Sequence, residues 1–230
     1  MIINNKIVSV TFKIIIIILC GSGLYLKSGL AHAEKKSKNI SGMLIYFTYL
    51  SNMLCLLYFV VSSILILINI VNYGIAGSVT ALLPELKGSI VLCLLITLLV
   101  YNFVLIPHRK KSKMNDTNGL YDFPDICVHC AVPILAFFDW ILFDDKRIYT
   151  LFSPLFWLII VLLYTIFIML RGMLTGKHKA ADNKYPYFFL DVDRLGTKRV
   201  SLYLLLFGVL YIILGYLVLF IGYFVNVLLY

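Results

Sequence analysis

Long apolar runs separated by short polar segments dominate the pattern of this chain. An α-helix needs about 20 mainly apolar residues to cross a bilayer, and six stretches of the chain meet this requirement. They cover residues 7–26, 43–70, 88–107, 126–143, 151–171 and 200–230. Because the runs are continuously apolar, they differ from the alternating strands of a membrane barrel. The pattern predicts an all-α polytopic membrane protein in which residues 1–230 form one domain, a bundle of six transmembrane helices.

The composition agrees with this prediction. Hydrophobic residues make up 62% of the chain and charged residues 13%, and a soluble domain of 230 residues cannot bury that much apolar surface in one core. Of the five cysteines, Cys20, Cys55 and Cys93 fall inside predicted spans. We expect them to pack as small polarizable side chains and to form no disulfide framework.

The first apolar stretch is the least regular, because Lys13 interrupts it. We expect this lysine to extend toward an interface, so that its ammonium group stays in water. The stretch also resembles a cleavable signal peptide that ends near residues 31–33. Cleavage there would expose the basic residues of segment 35–38 on the outer face, against the usual charge rule. The sequence therefore favours an uncleaved first helix.

Basic residues are distributed unevenly between the two sides of the predicted bundle. With six spans, the N-terminus, the second and fourth loops and the C-terminus share one side. That side holds Lys6, Lys13, Lys87, Lys146 and Arg147, whereas the other fifteen of the 20 Lys and Arg residues lie in the first, third and fifth loops. Because basic residues collect on the cytoplasmic side, the bias predicts the orientation in the cell membrane. Loops 27–42, 108–125 and 172–199 are expected in the cytoplasm, and both termini outside.

The formal net charge of +9 follows from this topology. It requires no nucleic-acid partner, and the partners that we expect are membrane lipids, whose anionic headgroups attract basic loops. No metal or other cofactor is predicted either. Cys127, His129 and Cys130 are close in sequence, but on a helix Cys127 and His129 point to nearly opposite sides.

Polar residues in the second predicted span follow a helical stripe. They are Thr48, Ser51, Asn52, Cys55, Ser62, Ser63 and Asn69. Their spacing at the 3.6-residue period predicts that the stripe faces the bundle. Small and hydroxylated side chains let helices approach closely and form hydrogen bonds between them, which is the simplest explanation of most of these residues.

A histidine inside the fourth predicted span is the strongest pointer to function, because an ionisable side chain at that depth is costly in a membrane. Asp125 and His129 share a helix face with Pro133, Ala136 and Trp140. The Asp125 carboxylate can therefore orient the His129 imidazole as a base. An acid in the first turn also complements the helix dipole, which explains Asp125 equally well.

Thr48 lies about one turn inside the second span, and His129 lies about one turn inside the fourth, at the same end of the bundle. A hydroxyl and an imidazole at one depth match the needs of a nucleophile and its general base. A threonine that bonds its own helix backbone explains Thr48 equally well. Asn52, one turn deeper on the same stripe, is a candidate donor to an oxyanion.

Three further features have structural explanations. Asp139 is predicted on the opposite face of the fourth span, at the interface. Gly208, Gly215 and Gly222 recur every seven residues and favour close helix packing. The aromatic and acidic segment 185–193 is expected to fold back against the mouth of the bundle.

Four sequence runs resemble the prokaryotic branch of the androgen-induced-protein family. They are YFTYLSNMLC at 46–55, YNFVLIP at 101–107, DICVHCAVPILAFFDWILFD at 125–144 and YPYFFLDVDRLG at 185–196. The animal members are six-span threonine hydrolases that split fatty-acid esters of hydroxy fatty acids with one membrane threonine and one membrane histidine. By position, the resemblance implies that Thr48 and His129 are these two residues, in a protein of the bacterial inner membrane.

The resemblance thus implies an intramembrane hydrolase of lipid esters. We expect Thr48 and His129 to be catalytic, with Asp125 and Asn52 in supporting roles, and no metal at the site. A different class stays open, because polar residues inside a bundle are also typical of a small transporter or a lipid-binding module. Against transport, the sequence has no internal repeat and no central run of charges.

Overall fold

The computed structural model describes residues 2–28, 43–77, 81–111, 122–175 and 185–229. These residues contain six helices that are long and apolar enough to cross a membrane, which confirms the predicted all-α bundle. The spans, numbered in chain order, are Lys6–Lys27, Phe47–Tyr73, Pro84–Lys110, Phe123–Phe143, Ser153–Leu174 and Thr197–Val225. The helices of the fifth and sixth spans continue to Thr175 and Leu229. Shorter helices cover Lys146–Ile148, Phe188–Leu190 and Val192–Leu195.

Polar first turns explain why two spans begin before the apolar runs that predicted them. The Asp122 side chain accepts a hydrogen bond from the Asp125 N–H and caps the fourth span. This span therefore begins at Phe123 and not at residue 126. Pro84 occupies the first turn of the third span, ahead of the predicted start at residue 88. Hydropathy alone does not detect a side-chain cap such as Asp122 or a first turn that begins with proline.

Contacts between helix ends show that the spans run up and down in turn. At one end of the bundle, Lys6 Nζ at the start of the first span donates to the Gly74 carbonyl after the second span, at 2.9 Å. We call this the amino end. At the opposite end, which we call the far end, Lys27 of the first span lies 2.9 Å from Asp125 at the start of the fourth.

The third and fourth spans form the centre of the bundle. Half of the apolar window of each is buried, against 17% for the sixth span. Trp140 of the fourth span and Trp157 of the fifth are fully buried, and their rings meet edge to face with centroids 6.4 Å apart. A helix in this central position has buried residues on more than one side.

A buried charged cluster near the amino end overturns two predictions. Lys13 and Asp139 are 3% and 0% exposed, and Lys13 Nζ lies 2.7 Å from Asp139 Oδ1. Lys87 Nζ lies 2.7 Å from Asp139 Oδ2 and 2.5 Å from Asp144 Oδ1. Lys13 therefore does not extend to an interface, and Asp139 is not interfacial, because partners from other spans neutralise both. We define the charged cluster as Lys13, Lys87, Asp139, Asp144 and Lys146.

Two of the three periodic glycines of the sixth span pack closely against the bundle, as predicted. A Cβ atom at Gly215 would lie 3.0 Å from Pro154, and one at Gly222 would lie 2.5 Å from the Trp140 ring. Gly208 has no neighbour within 4 Å on that side among the described residues. Close packing at these glycines is thus confined to the second half of the span.

We expect Gly88→Ala to lower the melting temperature, because a Cβ atom at Gly88 would overlap the Trp157 indole. Overpacking of this kind typically costs about 1–3 kcal/mol. Gly208→Ala is the matched control, since it adds a methyl group in open space and alanine favours a helix more than glycine does. Thermal unfolding in detergent, followed by tryptophan fluorescence, measures both variants. Equal melting temperatures would contradict the close Gly88 contact.

Candidate functional site

Two π-helical turns meet near the far end of the bundle. They interrupt the third and fourth spans at Tyr101–Leu105 and Cys127–Ala131. A π turn shifts the register of a helix, and such turns are frequent at functional sites. Tyr101 and His129 belong to these turns, and their rings stack with centroids 3.7 Å apart and planes inclined by 15°. Both irregular turns therefore contribute to the surroundings of the His129 ring.

The His129 ring is buried, and the preceding turn fixes its orientation. Nδ1 lies 3.1 Å from the Asp125 backbone carbonyl. A carbonyl oxygen can only accept a hydrogen bond, so Nδ1 carries the ring proton and donates it. Within the described part of the chain no hydrogen bond reaches Nε2. The lone pair of Nε2 is therefore available to accept a proton.

The Asp125 carboxylate lies between two groups. Its Oδ1 is 3.5 Å from His129 Nδ1 and 2.9 Å from Lys27 Nζ. The carboxylate thus forms its closer ion pair with Lys27 of the first span and reaches the imidazole at longer range. Asp125 also lies in the first turn of its helix. Both interpretations from the sequence, an orienting acid and an acid that complements the helix dipole, are compatible with this geometry.

Thr48 is buried in the first turn of the second span. Its side chain lies beside the hydroxyl of Tyr187, which accepts the Phe47 N–H at 3.0 Å. Among the described residues, the Thr48 hydroxyl makes no direct hydrogen bond to His129. The structure therefore brings Thr48 and His129 to one region of the far end without joining them directly.

Asn52 connects the two helices that carry Thr48 and His129. Its Nδ2 donates to the Thr48 carbonyl at 2.8 Å and to the Val128 carbonyl at 3.0 Å. A side-chain amide has two N–H bonds, so both of its donors are used. Asn52 thereby holds the first turn of the second span against the π turn that contains His129.

The segment 185–193 folds back over the far end, as predicted. Tyr185 packs on Gly172, and the Phe188 ring stacks on His108 with centroids 3.9 Å apart. Burial raises the pKa of Tyr187 to about 12, so its hydroxyl is protonated at neutral pH and can donate a hydrogen bond. The hydrophobic and polar pattern of the sequence does not identify Tyr187 as a site residue. The aromatic run at 185–189 is the feature of the sequence that points to this segment.

The far end offers acid–base and nucleophilic groups. Asp125 and His129 supply a carboxylate and an imidazole, and Thr48 supplies a hydroxyl. In the five described ranges, no group of three or more His, Cys, Asp and Glu side chains is arranged to hold a metal ion. The chemistry that these side chains can perform by themselves is proton transfer and attack by a hydroxyl on an acyl group.

Comparison with known proteins yields no relative: no family model, curated protein or solved structure matches this chain. The resemblance of the four sequence runs therefore stays an expectation. The function has to be inferred from the arrangement of Thr48, Asn52, Asp125 and His129 at the far end.

Proposed function

We propose that this chain is an intramembrane hydrolase of lipid esters, with Thr48 as the nucleophile and His129 as the general base. The main support for this proposal is the position of the proton on the His129 ring. Nδ1 donates to the Asp125 carbonyl, which leaves the Nε2 lone pair as a proton acceptor inside the bundle. The link from Asn52 to the Thr48 and Val128 carbonyls supports the pairing. The resemblance to threonine hydrolases supplies the reaction class.

The proposed reaction has two halves. In the first, His129 Nε2 takes the proton of the Thr48 hydroxyl while the oxygen attacks the ester carbonyl. The imidazolium then gives this proton to the departing alcohol oxygen, and an acyl-threonine is left. In the second half, His129 takes a proton from water, the resulting hydroxide attacks the acyl carbon, and the proton returns to the Thr48 oxygen as the fatty acid leaves. Asp125 orients His129 throughout.

Thr48 must turn for this reaction to begin. Its side chain contacts Tyr187, so a change of rotamer or one bridging water has to connect its hydroxyl with His129 Nε2. Catalytic hydrogen bonds often tighten only when substrate binds. The protonated Tyr187 hydroxyl supports stabilisation of the oxyanion, because it is a donor beside the reacting oxygen. Asn52 serves as such a donor only if it releases one of its two carbonyl partners.

The proposed substrate is a fatty-acid ester that enters sideways from the lipid. A site about one turn inside the spans matches the depth of ester groups just below the headgroups. In the proposed orientation, the far end of the bundle faces the cytoplasm of a bacterial inner membrane. This follows from the positive-inside rule, since fifteen of the 20 Lys and Arg residues belong to the loops predicted at that end. Both termini then lie outside.

A transporter or lipid-binding module is the second candidate. The sequence argues against transport because it has no central run of charges, but the charged cluster brings Lys13, Lys87 and Asp139 together from three spans. Ionisable groups inside a bundle are typical of transport pathways. Thr48→Ala distinguishes the candidates. A hydrolase loses turnover and retains lipid binding, whereas a binding module changes only in affinity.

Labelling of the purified protein by a fluorophosphonate probe tests the hydrolase. We expect wild type to be labelled and both Thr48→Ala and His129→Ala to lose the label in the same detergent, because they remove the nucleophile and its base. Ser63→Ala is the matched control, since Ser63 is a buried hydroxyl of the same span that lacks a hydrogen-bond partner among the described residues. It should be labelled like wild type. An unlabelled, well-folded wild type, or a label that persists in both variants, would refute this mechanism.

A further inference from the structure

The charged cluster near the amino end contains more positive than negative groups. Its lysines are Lys13, Lys87 and Lys146, its carboxylates are Asp139 and Asp144, and each of the five residues is at most 5% exposed. If every group is ionised, the cluster carries one excess positive charge, which is costly away from water. The loss of a single proton makes the cluster neutral.

Direct ion pairs join two of the three lysines to the buried carboxylates. Lys13 Nζ lies 2.7 Å from Asp139 Oδ1 and donates to the Ser9 hydroxyl at 3.1 Å. Lys87 Nζ lies 2.7 Å from Asp139 Oδ2 and 2.5 Å from Asp144 Oδ1. Neither lysine can give up its charge without weakening an ion pair to a buried carboxylate.

Lys146 differs from both, because its hydrogen bonds go to backbone carbonyls and not to a carboxylate. Its Nζ donates to the backbone carbonyls of Trp140 and Asp144 and lies 4.1 Å from the centre of the Trp140 ring. A neutral amine has two N–H bonds and can still donate to both carbonyls, while the attraction between the ammonium and the Trp140 ring is lost with the charge. Lys146 follows the fourth span, and burial lowers its pKa to about 7.

A small cavity adjoins the cluster on the side of Asp144. Lys13, Lys87, Ser9 and Ser62 line it together with Asp144, whose buried Oδ2 has no hydrogen-bond partner among the described residues. The cavity has room for about one water molecule. Ammonium donors and a carboxylate acceptor around one small space match a water better than an ion of either sign. A neutral water in this cavity leaves the excess charge of the cluster in place.

We propose that the charged cluster is a proton-binding site, at which Lys146 exchanges one proton with the solution at the amino end. The ammonium gives its proton to water and becomes a neutral amine, and the net charge of the cluster falls from one to zero. The path is short, because the neighbouring Arg147 side chain is 78% exposed. The site is separate from Thr48 and His129 at the far end, so it stands whether or not the chain is a hydrolase.

Other charged and titratable groups surround Lys146 and the rest of the cluster. They are Lys13 of the first span, Tyr58 of the second, Glu85 and Lys87 of the third, Asp139 of the fourth, and Asp144, Asp145 and Tyr149 of the following segment. The hydrogen bonds from Arg147 hold the pKa of Asp145 down at about 2, so Asp145 is charged at neutral pH. Ser153 donates to Glu85 at 2.6 Å. Lys146 is the lysine of the cluster that donates only to backbone carbonyls, and its charge is the one proposed to change near neutrality.

Tryptophan fluorescence reports this exchange in the folded protein, because the Lys146 amine lies over one of the two tryptophans of the chain. We expect the emission of wild type in detergent micelles to follow one single-proton transition with a midpoint at a pH of about 7. Lys146→Arg retains the positive charge but cannot lose it, and Lys146→Met has no amine, so both should lack the transition. Arg147→Gln, the exposed neighbour, should retain it.

Two outcomes would overturn the proposal. One is a wild-type protein with intact helical circular dichroism whose emission does not change through neutral pH. The other is a transition that persists in Lys146→Arg. If Lys146→Met fails to fold, Lys146→Arg decides the matter, because it retains the donors to both carbonyls.

Discussion

Asp139→Asn is expected to destabilise the protein by about 3–5 kcal/mol, the usual cost of removing one partner from a buried ion pair. Each oxygen of Asp139 lies 2.7 Å from an ammonium group, one from Lys13 and the other from Lys87. Asparagine carries no charge and turns its NH₂ group toward one of these lysines. Unfolding by sodium dodecyl sulfate in mixed micelles, followed by tryptophan fluorescence, measures the loss.

Two further variants identify the cause of that loss. Asp145→Asn removes a carboxylate at the same end of the bundle, but its partner Arg147 is exposed, so the cost should stay below about 1 kcal/mol. The double variant Lys13→Met/Asp139→Asn removes the orphaned ammonium as well, while Lys87 retains its second carboxylate. It should recover part of the stability. Asp139→Asn as stable as wild type would contradict a buried charged cluster.

His129→Gln is expected to lower kcat/KM for a long-chain p-nitrophenyl ester by roughly 10²–10⁴-fold, the usual contribution of a general base. Glutamine can still donate to the Asp125 carbonyl and fills much of the space beside Tyr101, but its amide cannot accept the proton of Thr48. The loss should therefore reflect the missing base and not a disturbed fold. Steady-state hydrolysis in micelles measures it.

His108→Gln is the matched control for this experiment. His108 is the other described histidine of the far end, and its ring stacks on Phe188 without contacting Asp125. The His108→Gln variant should hydrolyse the ester at a rate close to that of wild type. If both variants hydrolyse the ester as fast as wild type, His129 is not the base, and the transporter or binding module becomes the better candidate.

The spans can be predicted from the sequence because local composition decides them. The polar stripe of the second span is also predicted well, since Thr48, Asn52 and Cys55 are buried as expected. Asn69, near the end of the same helix, is half-buried. Helix starts are harder, because a cap such as Asp122 is polar and lies outside the apolar run.

The charged cluster could not be predicted in the same way. Lys13 and Asp139 are 126 positions apart, and nothing near either residue indicates its partner. Periodicity predicts one bundle-facing stripe for each helix, which is adequate for a peripheral helix. In the fourth span Asp139 lies three residues after Ala136 and four before Phe143, so it belongs to the buried face of the helix. The prediction that places Asp139 on the opposite face, at the interface, is therefore wrong.

The candidate site was predictable only in its local part. Asp125 and His129 are four residues apart on one helix, so their proximity follows from helix geometry. The stacking of Tyr101 on His129 and the contact of Tyr187 with Thr48 depend on how distant segments pack. The π turns that carry Tyr101 and His129 have no simple signal in the sequence.

The charged cluster also has a consequence for biogenesis. Lys13, Lys87 and Asp139 enter the membrane in three different helices, and a charge within a lone helix opposes insertion, by about 2.5–3.5 kcal/mol at the helix centre and by less toward its ends. The first and third spans are synthesised before the carboxylate that neutralises them. The first and third spans are therefore expected to stay in contact with the insertion machinery until the fourth span has been synthesised. The three helices then enter the lipid together.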